Sequence, residues 1–138
     1  MQKKSIDIEE MMRFARLAMK NAYAPYSNFP VGCCIRTQEG HFFSGTNVEN
    51  GAYAATQCAE TSALGAMITQ GERKITDIVT MGKEGVFCPP CGNCRQKLSE
   101  FVTEDARVHV CTPSKVIESI AFSDLLPYRF RLEPEASK

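Results

Sequence analysis

The chain has 138 residues, and its 16 acidic and 16 basic side chains leave no formal net charge. That length suits one domain spanning residues 1–138, and a balanced charge without a basic stripe argues against polymeric nucleic acid as partner. No run of about 18 apolar residues and no signal-peptide core is present, so a cytoplasmic protein with no membrane contact is expected.

In chain order, Ile8, Met11, Met12, Ala15, Ala18, Met19 and Ala22 recur at helical spacing, and Asp7 with Glu10 three residues on resembles a capping box. The first helix is therefore predicted from about Ser5 to about Asn21. Ala24 to Asn28 interrupts it, and Val31 to Ile35 faces Phe42 and Phe43 across a turn at Glu39 and Gly40, the pattern of a β-hairpin. Ala59, Ala63, Ala66 and Met67 give a small-residue face to a helix over Cys58 to Gln70, capped by Gly71. Ile75 to Met81 reads as a buried strand, Cys91 to Phe101 as a helix entered through Pro89 and Pro90, and Arg107 to Cys111 as an alternating strand. A last strand is expected around Lys115 to Ala121, before a turn at Leu125, Leu126 and Pro127. Helices placed between strands in this way imply a layered α/β domain with a mixed sheet.

Seven cysteines in such a chain read as thiols and metal ligands rather than a disulfide framework. Cys33, Cys34 and Cys111 sit in apolar strand-like runs, where cysteine behaves as a small hydrophobe. Cys91 and Cys94 are three apart at a helix start and so share a face, and Cys58 opens another helix. Together the three offer a zinc ion three thiolates and leave its fourth position open, the arrangement of a catalytic site. Glu60, two residues beyond Cys58, is held beside that position without being a ligand. The pattern resembles the signature of zinc deaminases acting on nucleobases, and that resemblance implies that Glu60 is the proton carrier, taking a proton from water and delivering one to N3 of a cytosine ring and another to the departing amine. Two helix N-termini would offset part of the thiolate charge. A structural zinc knuckle is the competing reading, with Cys88 as fourth ligand and no turnover; the two prolines between Cys88 and Cys91 favour an extended path and weigh against it. His41 and His109 read as a turn residue and a strand residue without catalytic roles.

At Cys58-Ala59-Glu60 and Pro90-Cys91-Gly92-Asn93-Cys94 the chain resembles the small homotetrameric, zinc-dependent cytidine deaminases, and the likeness extends through Tyr26 to Gly32 and through Asn47 to Asn50. The resemblance implies a three-layer α/β/α fold with a five-stranded mixed sheet, one Zn2+ per subunit, and deamination of cytidine and deoxycytidine in pyrimidine salvage. It also implies a nucleoside substrate, with Asn47 and Glu49 on the ribose hydroxyls, Phe29 against the pyrimidine, and the backbone of Ala59 and of Pro90 to Cys91 on the amide edge. Tyr53 would reach a neighbouring subunit's ligand in the homotetramer, and Phe130 would lie at a subunit contact or pack on its own domain. Where many members carry an arginine after the glutamate this chain has Thr61; Cys88 and Arg131 also depart from the pattern, whereas Arg95 conforms to it. A related aminohydrolase of a modified pyrimidine nucleoside or nucleoside antibiotic is the enzymatic alternative.

Overall fold

The computed structural model describes residues 2–133, with side chains described from residue 7 onward. Its elements run α1 (Gln2–Met19), β1 (Gly32–Thr37), β2 (Phe42–Thr46), a single 3-10 turn (Tyr53–Ala55), α2 (Ala59–Thr69), β3 (Ile75–Met81), α3 (Gly92–Ser99), β4 (Val102–Cys111), β5 (Val116–Ala121) and a short α4 (Phe122–Leu125). The strands lie in the order β2-β1-β3-β4-β5. β3 and β4 are parallel, joined by the crossover through α3, and the other neighbours are antiparallel. The five-stranded mixed sheet inferred from the sequence is thus present.

Strand periodicity divides the core into two layers. On one face of the sheet Cys34, Val79, Met81 and Cys111 meet Met11, Met12 and Ala15 of α1. On the other, Cys33, Ile35, Ile78, Val108 and Val110 meet Ala59, Ala63 and Met67 of α2, Leu98 of α3 and Phe122 of α4. Neighbouring Cys33 and Cys34 therefore serve opposite layers, both as fully buried small hydrophobes.

Two glycines set how close the layers come. A Cβ on Gly32 would stand 2.2 Å from the Ala15 carbonyl oxygen of α1, and one on Gly45 would stand 2.4 Å from the Ala63 nitrogen and 2.6 Å from the Ala59 oxygen of α2. Gly45 thereby lets the first turn of α2 lie directly on β2. Gly40 turns the β1–β2 hairpin at φ 89°, in the left-handed region open to glycine.

The first helix departs from the predicted bounds. It begins at Gln2, so Asp7 lies within it and does not cap it, and it ends at Met19. No capping box forms, and both carboxylates take side-chain partners: Asp7 accepts from Arg36 Nε at 2.9 Å, and Glu10 accepts from Arg13 Nη2 at 2.7 Å. β4 also starts earlier than expected, at Val102, through the polar stretch Thr103 to Asp105. The turn expected near Leu125 follows the extra helix α4. His109 is a buried strand residue, bridging Asp77 Oδ1 at 2.9 Å and Ser119 Oγ at 2.7 Å.

Candidate active site

The starts of α2 and α3 bring the sulfur ligands together. Cys58 is the N-cap of α2 and Cys91 the N-cap of α3, each with extended backbone, and Cys94 lies in the first turn of α3. Their three Sγ atoms lie within 4.8 Å of one another. Tetrahedral zinc with Zn–S bonds of about 2.3 Å needs sulfurs about 3.8 Å apart, so this donor set fits the ion with minor side-chain adjustment. Among the described residues Cys88 is not part of that cluster.

The electrostatics of the three thiols differ. Burial raises Cys91, but the N–H groups of Cys94 and Asn93 at the start of α3 outweigh it and hold the thiol below its ordinary range. Burial raises Cys58, with the neighbouring Cys94 opposing it. Cys94, fully buried, is raised most, by burial first and then by the charges of Glu60, Cys58 and Cys91.

Glu60, at the second position of α2, is 6% exposed. Burial raises its carboxyl above the ordinary range, while its own backbone N–H and the Cys94 thiol pull the other way. A buried carboxyl beside the sulfur cluster, with its proton affinity raised by burial, is suited to carry protons in acid/base catalysis. Cys88 lies on the same side: burial and the charge of Glu60 raise its thiol, and a Cβ on Gly82 would lie 2.9 Å from Cys88 Cβ and 3.4 Å from the Phe29 ring.

The other expected site residues lie on the segments that lead into Cys58 and on the loop before β1. Val48 pairs with Gln57 through two backbone hydrogen bonds of 2.8 Å, which carries Asn47 and Glu49 next to the segment entering Cys58. Asn47, 8% exposed, accepts from the Val31 N–H at 2.9 Å and donates Nδ2–H to the Phe29 carbonyl at 3.0 Å. Glu49 accepts from the N–H groups of Tyr26 at 3.0 Å and Ser27 at 3.1 Å, and from the Ser27 hydroxyl. That hydroxyl and the two N–H groups hold its carboxyl below the usual range. Both side chains thus grip the loop that carries Phe29. The half-buried Phe29 ring has the Lys83 ammonium 5.6 Å from its centroid.

Ala59 and Pro90 are buried beside Cys58 and Cys91. Tyr53 stands out from the 3-10 turn, 80% exposed. Arg95 is committed to the backbone, donating Nε–H to the Pro90 carbonyl at 2.7 Å and Nη1–H to the Leu125 carbonyl at 2.9 Å. Lys97 was not singled out by the sequence reading, yet its Nζ lies 3.1 Å from Thr61 Oγ1. Its position three residues after Cys94, on the ligand's face of α3, is the signal that marks it.

Residues 5–111 match the family model for the cytidine and deoxycytidylate deaminase zinc-binding region. The cytidine deaminase of Halalkalibacterium halodurans is 34% identical over 128 residues, covering 93% of this chain and 97% of that protein. The enzyme of the same name from Sporosarcina psychrophila is 33% identical over 128 residues, covering 93% and 94%. Among solved structures, the cytidine deaminase of Burkholderia pseudomallei superposes with a TM-score of 0.82 at 35% identity, over 88% of this chain and 98% of that one. The Mycobacterium tuberculosis cytidine deaminase gives 0.81 at 31% identity, over 91% and 98%. A zinc-fitting trio of cysteines around a buried glutamate, on a fold shared with these proteins over nearly its whole length, places the chain in the cytidine and deoxycytidylate deaminase family.

Proposed function

We infer that the protein is a zinc-dependent cytidine deaminase, converting cytidine and water to uridine and ammonia. The observation that carries this reading is the buried Glu60 carboxyl beside three convergent cysteine sulfurs at two helix starts. Cys58, Cys91 and Cys94 would hold the metal. When bound, zinc would supply Lewis acidity that makes water nucleophilic near neutral pH.

Glu60 would take a proton from the attacking water and pass it to N3 of the pyrimidine as the new C–O bond forms at C4. It then moves the second proton to the amine nitrogen, the C4–N bond breaks, and ammonia leaves. Phe29 packs on the pyrimidine, and the backbone of Ala59 and Pro90 meets its amide edge. Asn47 and Glu49 hold the Phe29 loop and present the remaining faces of their polar groups to the ribose. A site built to pair a sugar hydroxyl rejects a ligand lacking it by about 10⁴ to 10⁵, which favours nucleosides over free cytosine.

Residues 1–138 act as one domain, and the working form is a homotetramer. The exposed side chains of Tyr53, Tyr128, Phe130 and Leu132 support assembly, since apolar surface of this kind is commonly covered by a partner. A cytoplasmic setting accords with seven unpaired thiols, and no described helix is long and apolar enough to cross a membrane. The test is a substrate panel on zinc-loaded protein: cytidine and deoxycytidine should release ammonia stoichiometrically with uridine and deoxyuridine, and cytosine should be inert. Turnover of cytosine at the nucleoside rate contradicts the ribose contacts, and turnover of only a modified pyrimidine nucleoside or a nucleoside antibiotic selects the alternative aminohydrolase.

A further inference from the structure

Three thiolates on one zinc ion leave a net negative charge, and the fold serves the three sulfurs unequally. Cys58 and Cys91 cap helices, so both stand at the positive ends of α2 and α3. Cys94 lies inside the first turn of α3, is not a cap, and is fully buried next to the Glu60 carboxyl. A buried anion in that position needs a compensating donor.

A donor chain from the protein surface reaches it. Thr61 Oγ1 is 3.9 Å from Cys94 Sγ, and Lys97 Nζ is 3.1 Å from the same Thr61 oxygen. The direction of this chain follows from valence. An ammonium group has only donors, so the Thr61 oxygen must be the acceptor toward Lys97. Its single hydroxyl hydrogen then remains for Cys94, and a metal-bound thiolate has only lone pairs to offer. The half-buried Thr61 sits between an exposed cation and a buried anion, on the one face that joins the first turns of α2 and α3.

We propose that Lys97, acting through the Thr61 hydroxyl, is a positioning residue that offsets the charge of Cys94 and fixes its sulfur for the metal. The proposal rests on the reading of Cys58, Cys91 and Cys94 as zinc ligands. Donors standing behind metal ligands are typically worth 10- to 100-fold in metal affinity.

The test compares native protein with Lys97→Met, Lys97→Arg, Thr61→Val, Thr61→Ser and the Lys97→Met/Thr61→Val double variant at one fixed pH. Zinc dissociation constants are measured by competition with a chromophoric chelator, and the sulfur-to-metal charge-transfer band is recorded on cobalt-substituted protein. Lys97→Met and Thr61→Val should each weaken zinc binding about 10- to 100-fold and shift the cobalt band. Lys97→Arg and Thr61→Ser should restore both readouts, and the double variant should be no weaker than its weaker parent, as expected for one chain of donors. Lys97 is exposed, so its replacement leaves the core intact. Native affinity and an unshifted band in Lys97→Met, or multiplicative losses in the double variant, overturn the proposal. A native protein that binds no zinc through three sulfurs overturns the ligand assignment and the proposal with it; a native zinc enzyme indifferent to Lys97→Met overturns this proposal alone.

Discussion

Asn47→Ala separates holding the site together from touching the substrate. The Asn47 side chain is 8% exposed and bonds the Val31 N–H at 2.9 Å and the Phe29 carbonyl at 3.0 Å. Truncation leaves two backbone groups without partners, at about 1 to 3 kcal/mol each where water is excluded. Because water can enter the space the amide vacates, the expected loss is about 2 to 4 kcal/mol. For a domain of this size each kcal/mol moves the unfolding midpoint by about 3 to 4 °C, so the variant should melt roughly 6 to 16 °C below the native protein. The assay is thermal unfolding of zinc-loaded protein at one fixed protein concentration, which keeps metal and subunit binding from moving the midpoint. A midpoint within about 2 °C of native would refute the reasoning and leave Asn47 a substrate contact only. Glu49→Ala is the companion: its partners are exposed, so KM for cytidine should rise with little change in Tm.

Other outcomes follow from the same geometry. Met67→Ala, at a fully buried position between α2 and the sheet, should cost about 2 to 5 kcal/mol in urea unfolding. Gly45→Val should fail to accumulate as folded protein, since even a Cβ there stands 2.4 Å from the Ala63 nitrogen; soluble, active Gly45→Val would show that α2 can move off β2. Burial pushes Cys34 and Cys111 up to about 12 and Cys33 well above the ordinary thiol range. At pH 8 these three should resist alkylation in native protein and react once denaturant is added, as mass spectrometry of the labelled peptides would show.

The chemistry of this chain is more legible in its sequence than the scaffold beneath it. The zinc trio and Glu60 could be picked out because ligand spacing and helix starts are local properties: Cys91 and Cys94 share a face wherever the helix lies. The buried faces of α2, β1 and β3 follow from periodicity for the same reason. The first half of β4 was hidden because Thr103, Glu104 and Asp105 are polar, Glu104 and Asp105 are exposed, and the sheet register shifts between Val102 and Arg107, so no alternating apolar pattern marks the stretch. Asp7 looked like a cap because its partner Arg36 is 29 residues away. The gripping role of Asn47 and the approach of Lys97 to Thr61 also needed long-range contacts, which no local pattern records.

The central claim is that Glu60 moves the protons of hydrolysis while three cysteines hold the metal. Glu60→Gln keeps size and burial but removes the titrating oxygen, and loss of a general acid/base costs about 10² to 10⁴ for each transfer it makes. The direct measurement is single-site: zinc content and the rate of cytidine loss by ultraviolet absorbance, native against Glu60→Gln. The account predicts one zinc per subunit in both proteins and turnover reduced at least about 10⁴-fold in the variant. Equal turnover in the two zinc-loaded proteins would contradict it.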